Sequence, residues 1–394
     1  MKIRLFISLI IISMILSGCG YKGKTNNVES SNNLETNVVI NDLGISSAEN
    51  ETLGLNARNV WDITLIDDAI YTAVGDFDSN SGPTSIWKYD FYTSKWEDSG
   101  EVKQEAVIRF INLNGENIAI GADPVGRPTH AEAYILKNNE WVTFAKIENA
   151  LHIFDAEYFD DAVYFGVSYE ADDYPVVRFV PGTNEYTNIP LYKNGTDVIC
   201  ALQNTENVEY KRIYDLFNVN GRLYCALAVS YTSGKTTIEF FELKNDRFEF
   251  CQAFKASGMQ MNKSVKNQIL FNADASLDDY CYVSLGNLYQ TKDFVEFNQI
   301  DIPNNACVTD LLIIKEDSIK KLYVLAVEKK DDKYKNIIYN LNQNNLIEVF
   351  SFNHACSALS FAMNDDEVYV GLGGDDTIST DVGRILKIKI TSNS

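Results

Sequence analysis

Transition-metal chemistry finds almost nothing to work with in this chain of 394 residues. It holds three histidines, His130, His152 and His354. None stands in an HxH or HExxH arrangement, so no imidazole-ligated metal has sequence support. His152, within a strand-like run, reads as a residue satisfied by its neighbours. The chain also lacks a GxSxG elbow, a P-loop and a dinucleotide fingerprint, the usual legible marks of acyl transfer and nucleotide binding. Positive charge is scarce: 34 Lys and Arg face 55 Asp and Glu, a net charge of −21. That balance argues against nucleic acid and against anionic lipid headgroups, and it is compatible with divalent cations. There is no membrane-length apolar run, because Leu5 to Leu16 is about a dozen residues and too short to span comfortably. No long amphipathic helix pattern appears. Nor is there a CxxC. Apart from Cys19, the cysteines at 200, 225, 251, 281, 307 and 356 lie 25 to 49 residues apart. Such spacing favours buried free thiols over a disulfide framework. A bridge between Cys307 and Cys356 stays open, since Asn305-Ala306-Cys307 and His354-Ala355-Cys356 occupy matching points of neighbouring repeats.

What the chain does have begins at its first residues. Lys2 and Arg4 precede the apolar run, which ends in Leu16-Ser17-Gly18-Cys19. This stretch resembles a bacterial lipobox. The resemblance implies a signal peptide over 1–18, acylation of Cys19, and export to the outer face of the cell membrane with the lipid as anchor. An ordinary secretory signal is the alternative. Residues 19–38, rich in Asn, Ser, Lys, Gly and Glu, bury too little to offset the entropy of ordering and read as a flexible tether. Residues 39–394 are left as the folded domain.

That domain is rich in strand formers: 12% of the chain is aromatic, with 22 Tyr and 21 Phe. The stretch IYTAVGD at 70–76 has relatives at IAIGAD, VYFGVS, LYCALAVS, CYVSLG, LYVLAVE and VYVGLGGD. Aligned on Tyr71, Ala119, Tyr164, Tyr224, Tyr282, Tyr323 and Tyr369, they recur at steps of 48, 45, 60, 58, 41 and 46 residues. Each follows a polar pair such as Asp67-Asp68, Asn114-Gly115 or Asn220-Gly221, which reads as a hairpin turn. Most are followed by a further strand pair. The expected fold is therefore all-β: a seven-bladed β-propeller of four-stranded antiparallel blades, six or eight blades being the alternatives. The last repeat lacks a strand after RILKIKI, and Asn37 to Leu43 is the segment expected to supply it and close the ring.

The first repeat, IYTAVGD…SIWKYDFYTSKW, resembles a kelch repeat, with Tyr89-Asp90 and Trp96 at the spacing of that family's Tyr and Trp. Thr291-Lys292-Asp293-Phe294-Val295-Glu296-Phe297 is similar to the turn of five-bladed glycosidases and, loosely, to a sialidase Asp-box. In those families the motif is a structural hairpin. These resemblances imply a fold and leave function open.

Candidate site residues fall into three sets. Asp76-x-Asp78-x-Asn80 has the oxygen spacing of a calcium loop, although Gly82 comes one place late and Trp87 stands where a bidentate Glu is expected; a polar hairpin connection is the alternative. On the innermost strands, Asp62, Arg109, Asp155 and Asp215 lie five residues before each hairpin pair, with Asp274 and Asp310 one place off. They form either a polar ring for a sugar or cation, or the water-facing wall of a channel. On long loops, Tyr169, Tyr174 and Tyr192 are candidates to stack on a sugar or meet a protein, or to pack between blades. The leading reading is a monomeric, membrane-anchored module that binds polysaccharide or protein. A lipid-anchored glycan hydrolase or lyase and a structural subunit of an envelope assembly are the alternatives.

Overall fold

The computed structural model describes residues 36–46, 56–76, 82–126, 130–169, 175–183, 185–199, 207–233, 235–255, 274–277, 279–284, 287–316, 319–364, 367–374 and 379–392. Cys19 and the segment read as a signal lie outside them. The first strand runs Thr36–Ile45 and so begins three residues inside the stretch read as tether.

The described chain folds into antiparallel groups of four strands taken in sequence order. The first group is Asp62–Ile66, Ala69–Ala73, Thr84–Asp90 and Lys95–Val102. The second runs from Gln104–Leu113 to Glu140–Glu148 and the third from Ala150–Phe159 to Glu185–Asn188. One pairing, His152 with Ala122, joins these two into a continuous sheet. The fourth spans Val208–Val219 to Arg247–Lys255, and the short strand Leu191–Lys193 adds to its outer edge in parallel. The fifth spans Asp274–Leu277 to Phe297–Ile300, and the sixth Cys307–Glu316 to Asn345–His354. The last combines Ser357–Asn364, Glu367–Gly373 and Arg384–Ser392 with Thr36–Ile45 at its edge.

Local chemistry explains the hairpins. Asn114 and Gly115 have φ of 52° and 89°, and Asp160 and Asp161 have 49° and 58°. These are left-handed conformations, which Asn, Asp and Gly adopt at least cost, and they give the turn twist that fits paired strands. The second strand of each group is the buried one. Tyr71, Tyr164, Tyr224, Tyr282, Tyr323 and Tyr369 are all buried there, as is Ala119. Their rings fill the space between one sheet and the next, with Tyr71 edge-on to Trp141 and Tyr224 against Phe294. Phe294 belongs to the Asp-box-like stretch. Thr291 Oγ1 accepts its N–H at 2.9 Å, and Asp293 Oδ1 accepts those of Val295 and Glu296 at 2.9 and 3.1 Å. The motif is a hairpin that presents Phe294 to the fourth group's Phe217 and Phe240.

The edge strand Thr36–Ile45 pairs with Arg384–Ser392 from Thr36 opposite Ser392 to Asp42 opposite Leu386. Val38 and Ile40 pack on the last group's core, and Arg384 meets Asp42 at 2.6 Å. Trp96 of the first group donates its indole N–H to Leu43 O at 2.8 Å. The last group also touches the first at its inner end. Ser360 Oγ donates to Val60 O at 2.9 Å, and a Cβ on Gly371 would lie 2.5 Å from a Val60 methyl, so this approach needs glycine. Among the described residues, Cys225, Cys251, Cys281, Cys307 and Cys356 carry no disulfide, so Cys307 and Cys356 are not bridged. Cys200 lies outside the described residues.

Candidate functional site

The innermost strands carry a repeated β-bulge. It falls between Val107 and Arg109, Ile153 and Asp155, Ile213 and Asp215, Val308 and Asp310, and Ala358 and Ser360. A bulge re-aims the side chain that follows it. Here it precedes Asp155 and Asp310, which reach toward the next group; Asp62, at the start of a regularly paired strand, reaches the same way. Asp62 Oδ2 accepts the Phe110 N–H at 2.6 Å, Asp155 Oδ2 that of Leu216 at 2.7 Å, and Asp310 Oδ2 that of Phe361 at 2.9 Å. In each case the donor follows the residue that occupies the acid's own place in the next strand. Arg109 stands in such a place and meets Asp155 at 3.1 Å and Asp215 at 3.3 Å, tying the second, third and fourth groups. The side chains of Arg109, Asp155 and Asp215 are little exposed. Ligand or water were the two sequence expectations for these side chains; the structure adds a third partner, the neighbouring strand's backbone. Burial and the charge of Asp62 push the Asp310 carboxyl well above its ordinary range, against the lowering by the Phe361 and Leu311 N–H groups and by Arg109. The side chain of Asp274 lies outside the described residues.

His152 is buried, stacks on Phe154 and lies 3.4 Å from Asp123. Burial, with Arg212 nearby, pushes its imidazole down to about 3, so it is neutral at physiological pH. Of the proposed calcium loop, Asp76 is described and buried, while Asp78 and Asn80 lie outside the described residues. Asp76 neighbours Glu105, an acid the sequence reading passed over. Burial and Asp76 push the Glu105 carboxyl up to about 7.

A groove of about 490 Å³ opens between the outer strands of the second and third groups. Lys146, Glu148 and Asn149 line one side, Tyr169, Tyr186 and Asn188 the other. Tyr186 is 40% exposed and stacks on buried Phe179 with ring centroids 4.9 Å apart, which fixes its plane. Its hydroxyl accepts the Lys146 N–H at 3.1 Å, bridging the two groups. Tyr169 O–H reaches Asn188 Oδ1 at 3.5 Å. Tyr169 was a candidate from sequence, and Tyr186 was not. Only the hairpin pairing that puts Tyr186 opposite Phe179 makes it visible. Tyr174 lies outside the described residues. Tyr192 does not line the groove: it sits on the strand Leu191–Lys193 with the Arg247 guanidinium 5.1 Å above its ring.

No protein-family model matches the chain, and no curated protein matches it in sequence. Solved structures do match. A chain of the mitotic checkpoint complex is similar over 94% of this chain and 98% of its own, with a TM-score of 0.51 at 9% identity. A polysaccharide lyase is similar over 86% of this chain and 91% of its own, at 0.48 and 9%. A sialidase of Trypanosoma rangeli, in complex with the inhibitor DANA, is similar over 71% and 54%, at 0.39 and 11%. With the four-stranded antiparallel sheets, the first of these likenesses supports a β-propeller fold. At such identity a likeness speaks to fold alone.

Proposed function

We propose that this chain is an exported, lipid-anchored propeller of seven four-stranded blades, closed by Thr36–Ile45, that binds carbohydrate between its second and third blades. The observation that carries the reading is the groove. Two tyrosines, one held flat against Phe179, stand among Lys146, Glu148, Asn149 and Asn188. A sugar ring offers an apolar face to an aromatic plane and hydroxyls to amide, ammonium and carboxylate groups, and this wall supplies each of these partners. The kelch-like character rests on the first blade, where Tyr89 and Trp96 meet with centroids 5.1 Å apart. Hydrolysis of a glycosidic bond in the usual way takes two carboxylates across the bond. Among the groove's described lining residues Glu148 is the one acid, which favours a binder over a hydrolase.

The test is binding of the chain to a panel of envelope and dietary polysaccharides, followed by titration of the best ligand. Tyr186→Ala should weaken that ligand at least tenfold, as the loss of an aromatic anchor does. Tyr186→Phe should stay within a few-fold of the parent. Silence across the panel, or equal affinity in Tyr186→Ala, would turn attention to a protein partner or an assembly role. Anchoring has its own check. Cys19→Ser should move the protein from the membrane fraction to the medium; retention in the membrane would reject the acylated cysteine.

A further inference from the structure

Among the described residues, Glu105 is a buried acid without a partner for its charge. It is the second residue of the strand Gln104–Leu113, is 7% exposed, and its Oε2 accepts no hydrogen bond from any described residue. The pairing between the first two groups sets what faces it. Val107 N–H donates to Val74 O at 2.9 Å, Gly75 pairs antiparallel with Ala106, and Asp76 N–H donates to Glu105 O at 3.2 Å. The register puts Asp76 directly opposite Glu105, so both side chains leave the same face of the ladder. Asp76 is 4% exposed. Like charges in directly opposed positions destabilise a sheet, and burial makes an unanswered carboxylate costlier still.

The backbones that carry the two acids are in close contact. Gly75 has φ of 126°, and a Cβ there would lie 2.3 Å from Glu105 O. A Cβ on Gly82 would lie 3.0 Å from Glu105 Cα, so the chain returns to the same residue six positions after Asp76. The turn Asn56–Arg58 runs alongside, its Ala57 O accepting the Gly75 N–H at 3.0 Å. Buried Arg58 follows on that turn. One guanidinium can balance one of the two carboxylates.

We propose that Asp76 and Glu105 are ligands of a hard divalent cation, with calcium the best fit. The donors are carboxylate oxygens, with carbonyls close by and no imidazole or thiolate among them, which suits calcium or magnesium rather than zinc or copper. Calcium takes six to eight oxygens in adaptable geometry, so two carboxylates leave places for carbonyls and water. The inference is independent of the sugar groove and stands on the opposed register and the orphaned Glu105 oxygen.

Trp61 provides the reporter, because its indole N–H donates to Gly75 O at 2.8 Å, one residue from Asp76. The full chain, stripped with EDTA, should bind terbium with tryptophan-sensitised emission. Calcium should displace it, and Trp61→Phe should dim the emission while leaving calcium affinity unchanged. Glu105→Gln should weaken terbium and calcium binding at least tenfold, yet melt in EDTA at or above the parent's temperature because it removes one of the opposed charges. Should Glu105→Gln fail to fold, Asp76→Asn gives the same comparison. Absent sensitised emission, equal affinity in Glu105→Gln, or identical parental melting points in calcium and EDTA would each overturn the site, the last leaving a shared proton in the cation's place.

Discussion

A single aspartate on an innermost strand serves the backbone of the next group more than any solvent. Asp155 Oδ2 and the Leu216 N–H are 61 positions apart in sequence and 2.7 Å apart in space. A charge-assisted bond of this kind is worth about 1.5–3 kcal/mol, and removing its acceptor leaves a buried N–H unpaired. His152 shows the opposite economy at the same scale, a titratable group kept neutral. The unfolded chain protonates this imidazole near its ordinary value of 6.5, whereas in the fold it is pushed down to about 3. The folded pKa is depressed, so the unfolded state binds more protons between those values. Stability present at pH 7 is therefore lost as pH falls below about 6.5. By pH 5 the loss from this residue is about 2 kcal/mol. His152→Gln, which keeps a polar group toward Asp123, should flatten the fall in melting temperature between pH 7 and 5. Parallel pH profiles for the parent and the variant would show that His152 does not set that slope.

Elements whose signal is local were legible in the sequence; those made by distant partners were not. Asn114-Gly115 and Asp160-Asp161 announce their hairpins because left-handed φ is a property of those residues themselves. Thr291 to Phe297 announces its turn for the same reason, since its hydrogen bonds span two or three positions. Alternation then marked the buried second strands, and every aligned Tyr in them is buried. The bulges left no such mark. Asp62, Arg109, Asp155 and Asp215 could be picked out as a set, but their partners lie 46 to 106 positions away along the chain. Glu105 was invisible for the same reason: within QEAVIRF it is an acid at the start of a strand, and only the pairing with Asp76 gives it meaning. The groove divides likewise, Tyr169 being prominent at a strand end and Tyr186 resting on a fold-back over Phe179.

At the scale of the molecule, the question is what holds the last group to the first. Among the described residues, two hydrogen bonds lie at the inner end, Ser360 to Val60 and Gly374 N–H to Asn59 Oδ1 at 2.9 Å, beside an apolar cluster that joins Val60 and Ile63 to Tyr369 and Ile385. The outer end depends on Thr36–Ile45, which covers the edge of Arg384–Ser392, carries the Asp42–Arg384 pair and accepts the Trp96 indole. Without that strand, Arg384–Ser392 would present a row of unpaired N–H and C=O groups, a template for association with other chains. If this strand closes the ring as proposed, deleting residues 20–45 while keeping Cys19 should cost more than local fraying. The half-buried Val38, Ile40 and Leu43 side chains together account for about 3 kcal/mol of burial. The melting temperature should then fall by roughly 5 °C, and the shortened chain should self-associate on gel filtration. The full chain already reaches its own edge and should remain a monomer. An unchanged midpoint in the deletion would assign closure to the inner contacts alone. A lower midpoint without self-association would mean that the exposed edge is protected in another way, by the charges of Lys387 and Lys389 that flank it on the paired strand.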